Sequence, residues 1–339
     1  MARRTHVTIR DVASNAGVSH QTVSRVINES ERVSPETRAR VLSAIDELGY
    51  RPNEIARIMA RGRTHTLACL SPNLTDYTFA SIIEGAEIEA RQHGYFLLSA
   101  SAPDEDTFAL LVEQLIERRR TDGLMVINPY TDQRFRHVPK DVRMVYLGAQ
   151  PRDEQVDSVS LDDEGAGHCA TQHLLHLGHR RIVSITGPVC EDCSQDRQNG
   201  YLQALRQAGI TPDPNLVVEG DWSATSGYTA VRSLLEHRVA FSAIFAQNDR
   251  MAVGAIRALR EANLCVPQDV SIIGFDDMPL ASYFDPPLTT MRQDTFRLGR
   301  QAAGLLLNAV ENPTLETQRL LLPAELVMRN STSQYVERR

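Results

Sequence analysis

No apolar run in the 339 residues approaches the roughly 18–20 consecutive residues a membrane helix needs. The opening MARRTHVTIRDVAS is basic but lacks the apolar stretch of a secretory signal. Membrane insertion and secretion are therefore not expected, and the chain reads as cytoplasmic. Cysteine is scarce: five residues, an odd number, describe no disulfide framework and fit a reducing compartment. Lysine is almost missing, with Lys140 alone, and Trp222 is the single tryptophan. Three catalytic or nucleotide signatures are also lacking: G-x-G-x-x-G after the first strand, a P-loop, and the G-x-S-x-G nucleophile turn. With them go the usual marks of a doubly wound enzyme, and no enzymatic activity or cofactor is expected.

What is there falls into two parts. At 37.8 kDa, with 42% apolar and 23% charged residues, the chain is long enough for two or three globular domains. Its net charge of −7 is unevenly spread: residues 1–63 hold 11 Arg against 7 acidic residues, whereas the remainder holds 25 basic against 36 acidic. A small basic head on an acidic body suits a polyanion-binding module joined to something else.

In the head, Thr8 and Asp11 form a helix-start signal, and Ile9, Val12 and Ala13 share one face. Asn15-Ala16-Gly17 breaks this helix, and Gly17 can turn left-handed at little cost. Ser19 caps a second helix whose Val23, Val26 and Ile27 point inward with Val18, leaving His20, Gln21, Ser24, Arg25 and Asn28 outside. A third helix runs from Ser34-Pro35 to Gly49, with Val41, Leu42, Ile45 and Leu48 expected to complete a three-helix core. Arg can donate twice to guanine and Gln can pair with adenine, so the outer face can read base edges. The spacing alone equally allows a helical hairpin with a solvated polar face.

The run DVASNAGVSHQTVSRVIN, followed by VSPETRARVLSAIDELGYRPN, resembles the DNA-binding head of the LacI/GalR family of bacterial transcription regulators. The resemblance implies that the second helix enters the major groove. Carried over by position, His20, Gln21 and Arg25 are then base readers, with Ser19, Thr22, Ser24 and Asn28 nearer the backbone. It further implies that residues 51–63, RPNEIARIMARGR, are a hinge helix that pairs with its copy in the minor groove, bringing Ala56, Arg57 and the wedge residue Met59 there. Met59 stands where the family usually has Leu.

From residue 64, apolar runs at Leu67–Leu70, Tyr95–Ser99, Gly123–Ile127, Met144–Leu147, Ile182–Thr186, Ala243–Ala246 and Val270–Gly274 alternate with helical stretches. The stretches are 79–92, 106–119, 163–177, 197–208, 225–237 and 249–261. Such alternation predicts an α/β body of two Rossmann-like halves with parallel sheets. Ligands of such sheets sit outside the carboxyl ends of the strands. There the loops 71–79, 187–197, 219–222, 247–249 and 275–277 supply carboxylates, amides, a guanidinium and aromatic rings, a set that suits a carbohydrate.

The body, too, is similar to the family, through LGHRRIVSITGP at 177–188, AQNDRMAVGAIRAL at 246–259 and VPQDVSIIGFDDMPLASYFDPPLTTMRQD at 266–294. The similarity extends from about residue 6 to 330 and implies a periplasmic-binding-protein-like fold. By position it assigns Arg197, Asn248 and Asp276 to effector binding, flanked by Asp76, Phe79 and Gln293. GDWSATSG at 220–227 makes Trp222 the residue that stacks on a sugar ring, and Gly148 stands where many members have an acidic residue. The implied division is a helix–turn–helix domain at 1–50, a hinge at 51–63, a first subdomain at 64–161 and 293–322, a second at 162–292 and 323–331, and a tail at 332–339. Crossings between the halves are expected near 161–163, 290–293 and 322–324.

Cys190-x-x-Cys193 lacks a second pair at zinc spacing and reads as pocket rim in the loop before Arg197. His168, His173, His176 and His179 form no compact ligand set, so no metal is expected. The function implied is a homodimeric repressor released from a pseudo-palindromic double-stranded operator by a small sugar or glycoside. The alternative is a regulator whose effector or partner protein strengthens DNA binding. A sugar-binding protein or doubly wound enzyme leaves residues 8–63 unexplained. NSTSQYVERR carries no leucine heptad, so a coiled-coil tetramer is not expected.

Overall fold

The computed structural model describes residues 7–28, 32–51, 63–118, 120–130, 132, 134–148, 156–312, 314 and 316–336. They form two compact units, one up to Thr64 and one from His65.

The first unit is helical: α1 (Ile9–Ala16), α2 (His20–Ile27) and α3 (Pro35–Leu48). Thr8 is the N-cap of α1, and its backbone N and hydroxyl both donate to Asp11 Oδ2 at 2.8 Å. Gly17 ends the helix at φ +65°, letting Val18 N return to Ala13 O. Ser19 Oγ accepts from Thr22 N at 3.2 Å and Ser34 Oγ from Thr37 N at 3.3 Å, so both following helices start on serine caps. Val12, Ala13, Ala16, Val23, Val26, Val41 and Ala44 make the core, with Ile45 and Leu48 packed against it. Leu42 does not join them. It is 52% exposed, because the inward face of α3 is the 41-44-45-48 row, and Leu42 lies about 100° round the helix from Val41.

The second unit is α/β. Its chain runs β1 (Thr66–Ser71), α4 (Tyr77–Gln92), β2 (Phe96–Ser101), α5 (Glu105–Ile116), β3 (Gly123–Asn128), β4 (Met144–Gly148) and β5 (Asp157–Leu161). It continues through α6 (Asp163–His176), β6 (Ile182–Thr186), α7 (Asp192–Gln207), β7 (Val217–Glu219), α8 (Ala224–Glu236), β8 (Ala243–Ala246), α9 (Asp249–Glu261), β9 (Ser271–Asp276) and β10 (Thr289–Arg292). Last come α10 (Thr295–Glu311), β11 (Arg319–Leu322) and β12 (Glu325–Val327).

Two six-stranded sheets result, one per lobe, in the orders β11-β5-β4-β3-β1-β2 and β12-β10-β9-β8-β6-β7. The first is parallel throughout; in the second only β12 runs antiparallel, against β10. The chain passes between lobes at 161–163, 292–295 and 322–325. Each lobe is cored on both faces of its sheet. Three helix pairs cross glycine against backbone in reciprocal fashion: Gly85 and Gly299 for α4 with α10, Gly167 and Gly200 for α6 with α7, and Gly227 and Gly254 for α8 with α9. A side chain at any of these would overlap the facing backbone, so the helices approach as closely as main chains allow. The stretch read as a tail from 332 is fastened as far as Tyr335: Ser333 N donates to Ser271 Oγ, and Tyr335 N to Leu177 O.

Candidate functional site

A cavity of about 410 Å³ opens between the lobes at the carboxyl ends of their strands. All seven residues assigned to effector binding by resemblance, Asp76, Phe79, Arg197, Trp222, Asn248, Asp276 and Gln293, line it. Alternation of strands and helices explains why: all lie at the carboxyl ends of the strands, on the strand end itself for Asp276, in the following loop or cap for Asp76, Trp222, Asn248 and Gln293, and in the first turns of the next helix for Phe79 and Arg197. Other lining residues were not singled out from the sequence, among them Tyr130, Asp163, Glu191, Asp221 and Arg250. Glu191 and Asp221 lie in loops already counted toward the site. Arg250 falls one residue past such a loop, and Tyr130 follows β3, whose loop was not counted at all.

Arg197 is the frame of this cavity. Helix α7 starts at Asp192, five residues earlier than the sequence pattern suggests, so Arg197 lies in its second turn and only 6% exposed. Its Nε donates to Asp163 Oδ1 and its Nη1 to Gln247 O, both at 2.7 Å. The guanidinium lies 3.6 Å from the Phe275 ring centroid and 5.7 Å from that of Trp222. Burial raises the Asp163 pKa against the pull of Arg197. Against the same burial, Asp163 holds the guanidinium firmly protonated. Among the described residues Nη2 has no hydrogen-bond partner, which leaves it for a ligand.

Trp222 is held from three sides. Its backbone is left-handed at φ +67°, its Nε1 donates to Glu191 Oε2 at 2.9 Å, and its ring fills the place a side chain on Gly187 would take. Its carbonyl accepts from Asn248 Nδ2 at 3.0 Å, while Asn248 Oδ1 caps α9 through Met251 N at 2.8 Å. Asn248 thus ties the Trp222 backbone to the start of α9. Burial lifts the Glu191 pKa above the ordinary carboxylate range, and the indole bond pulls the other way.

At the end of β9, Asp276 and Asp277 both take positive φ, +109° and +54°. Asp276 Oδ1 accepts from Gln293 Nε2 at 2.6 Å. Asp277 is clasped by Arg292 Nε and Arg329 Nη2, each at 2.6 Å. Beneath them Asp249 accepts from Thr290 Oγ1 at 2.6 Å and Met278 N at 2.9 Å. Burial pushes the pKa values of both Asp276 and Asp249 upward; Arg197 opposes it for Asp276, whereas the Asp276 charge adds to it for Asp249.

Among the described residues, contacts across the cleft include three polar ones. Arg250 Nη2 donates to Asp76 Oδ2 at 2.6 Å, Asp192 N to Pro129 O at 2.9 Å, and Tyr130 pairs with Glu191 as an isolated antiparallel bridge.

On the helical unit, His20, Gln21 and Arg25 stand exposed on α2, with Ser19 exposed before it and Thr22, Ser24 and Asn28 half-buried. Gln21, Ser24, Arg25 and Asn28 lie on the face opposite Val23 and Val26, with His20 and Thr22 at its flanks. Ala56, Arg57 and Met59 lie outside the described residues.

Cys190 precedes α7 while Cys193 lies in its first turn, so the pair straddles a helix start rather than sitting in a loop. Neither is disulfide-bonded, and burial raises the Cys193 pKa. His168 meets Gln207 Oε1 at 2.8 Å, His173 meets Thr332 Oγ1 at 3.0 Å, and His179 sits between the hydroxyls of Ser242 and Ser271. Among the described residues no three His, Cys, Asp or Glu side chains gather as metal ligands, and no helix is long and apolar enough to cross a membrane.

Residues 8–53 match the family described as bacterial regulatory proteins, lacI family, and residues 171–332 match the periplasmic binding protein-like domain. The chain is 38% identical over 328 residues to the ribose operon repressor of Escherichia coli (strain K12), covering 96% of this chain and 99% of the repressor. Among solved structures it is similar to the Lac repressor dimer bound to operator and the anti-inducer ONPF. The TM-score is 0.88 at 31% identity, with 97% of this chain and 100% of that one covered. It is also similar to the complex of the transcriptional regulator CelR with cellobiose, with a TM-score of 0.75, 35% identity and 96% and 99% coverage. A helix–turn–helix head on a two-lobed α/β body defines the class, a DNA-binding transcription regulator. The chain belongs to the lacI family of bacterial regulatory proteins.

Proposed function

We propose that this chain is a cytoplasmic, homodimeric repressor, without enzymatic activity, that leaves a pseudo-palindromic operator when a small carbohydrate enters the cleft between its lobes. The observation that carries the reading is the convergence at one cavity of carboxylates, amides, a buried guanidinium and an immobilised indole. Paired hydroxyls can donate to carboxylates and accept from Arg197 Nη2, while the apolar face of a sugar ring packs on Trp222. Ser19, His20, Gln21, Thr22, Ser24, Arg25 and Asn28 face the major groove in this reading, and Ala56, Arg57 and Met59 the minor groove. Arg and Gln provide the direct readout. Sugar acts by binding one arrangement of the lobes better than the other, as any effector must.

The test titrates Trp222 fluorescence with sugars, then repeats operator binding in their presence. A saturable emission change with one sugar, and operator release at the same concentration, is the expected result. An emission change with tightened operator binding would reverse the sign to co-repression.

A further inference from the structure

We infer that the cleft takes an uncharged saccharide of two rings and excludes phosphorylated sugars and nucleotides, an inference that rests on the carbohydrate reading above. The charge inventory of the cavity carries it. Its lining holds five carboxylates, on Asp76, Asp163, Glu191, Asp221 and Asp276, against two guanidinium groups, on Arg197 and Arg250. Both cations are already neutralised by a carboxylate of the lining, Arg197 by Asp163 at 2.7 Å and Arg250 by Asp76 at 2.6 Å, with Arg197 Nη2 left as a donor. The three remaining carboxylates form no salt bridge among the described residues, although Arg197 lies near enough to favour the charged forms of Glu191 and Asp276. Glu191 accepts from Trp222 Nε1, Asp276 from Gln293 Nε2, and Asp221 from Ser223 N.

A phosphate monoester brings a charge of about −1.5 to −2 and needs free cations or open helix N-termini to replace its water. Three helix starts at the cleft are closed from within: Asp76 caps α4 through Thr78 N, Asp162 caps α6 through Gly165 N, and Asn248 caps α9 through Met251 N. Helix α7 has no side-chain cap, but its first amide, Asp192 N, is taken by Pro129 O, and the carboxylate of Glu191 stands at its N-cap. An anion here would meet more carboxylates than cations: Asp221, held ionised by its bonds to Ser223, and Glu191 and Asp276, whose pKa values burial raises. Neutral hydroxyls meet the opposite situation, since every surplus carboxylate oxygen is an acceptor for them.

Size gives the second half. A single pyranose has about a dozen non-hydrogen atoms joined at covalent distances, whereas about 410 Å³ holds roughly fourteen separate waters at about 30 Å³ each, so one ring leaves much of the space empty. Aromatic rings stand on both walls, Phe79 and Tyr130 from the first lobe and Trp222 from the second, one for each end of a two-ring ligand.

Isothermal titration of the full chain, with Trp222 emission in parallel, would use a panel of neutral disaccharides including cellobiose and maltose. It would also use ribose, glucose, ribose 5-phosphate, cellobiose 6-phosphate and AMP. One neutral disaccharide should bind about tenfold tighter than any single ring and about a hundredfold tighter than its own phosphate. Asp221→Lys, an exposed rim position, should narrow that second gap about tenfold. A phosphate bound as tightly as its parent sugar, or a monosaccharide bound tighter than every disaccharide, would overturn the inference while leaving the carbohydrate reading intact. An unchanged gap in Asp221→Lys would overturn the charge account. Silence from every saccharide, phosphorylated or not, would overturn both readings.

Discussion

Arg250 reaches from the second lobe to the Asp76 carboxylate of the first, and that carboxylate also caps helix α4 through Thr78 N at 2.9 Å. One acidic side chain therefore ends a helix and clasps the opposite wall of the cleft. Arg250→Ala should shift unfolding free energy by at most about 1 kcal/mol, because the guanidinium is 45% exposed and screened. Its effect on the cleft should be larger. Small-angle scattering should show a more open body without ligand, and effector affinity should fall in proportion to the closed population lost. An unchanged scattering profile would mean that the pair does not restrain the lobes.

Breaking the buried pair has the opposite balance. Arg197→Met strands the Asp163 carboxylate in the core and should cost about 3–5 kcal/mol in denaturant unfolding. Adding Asp163→Leu should recover most of that loss, since an apolar pair can replace a buried ionic one. Effector binding should be lost in both variants. Recovery of stability together with recovery of binding would remove Arg197 from the site.

Gly187→Ala would force the Trp222 ring from its place. The cost should be about 1–3 kcal/mol of overpacking. Trp222 emission should shift as its bond to Glu191 breaks, and sugar affinity should drop, whereas operator affinity without effector should hold.

Arg25→Ala should cost about 1–3 kcal/mol of operator affinity and relax specificity at one base position. The steep fall of affinity with salt should persist, since phosphate contacts elsewhere set that slope. Fluorescence titration of the cleft should be unaffected. Full operator affinity in this variant would exclude Arg25 as a base reader.

Asp196, on α7 beside Asp163, Asp192 and Glu164, has its pKa raised to about 6, first by burial and then by these like charges. Its unfolded value is near 3.8, so the folded state holds the proton longer as pH rises. Stability is therefore fully present below about pH 3.8 and falls between there and about pH 6. Asp196→Asn should remove this loss, melting above the parent chain at pH 7 and converging with it near pH 4. Parallel melting curves across that range would show that the carboxylate is not strained.

Much of this architecture was legible because buried parallel strands are short apolar runs. Leu67–Leu70, Gly123–Ile127 and Ala243–Ala246 announce themselves in this way. β5 and β10 do not: buried Ser158, Ser160, Thr289 and Thr290 interrupt their apolar Val159, Leu161 and Met291, so the strands look like loop in a sequence. β7, β11 and β12 are three or four residues long, too short for alternation to show. Helix α10 lies beyond the last strand that alternation marks. The cleft was legible where a residue type matched a motif, as at Arg197 and Asp276. Asp163 and Arg250 escaped because their roles exist only through partners 34 and 174 positions away.

The late return of the chain to its first lobe bears on how the protein is made. Lobe one begins at β1, yet Leu298, Ala302, Ala303, Leu306 and Leu307 of α10 form part of its core, and β11 closes its sheet edge. A ribosome has translated some nine-tenths of the 339 residues before those parts exist. The second lobe, by contrast, lacks only its three-residue edge strand and the 329–335 segment once β10 has emerged. Synthesis therefore leaves the earlier lobe waiting, its apolar sheet face bare, while the later one assembles. Chaperone occupancy on nascent chains should peak over the first lobe and end when α10 clears the exit tunnel.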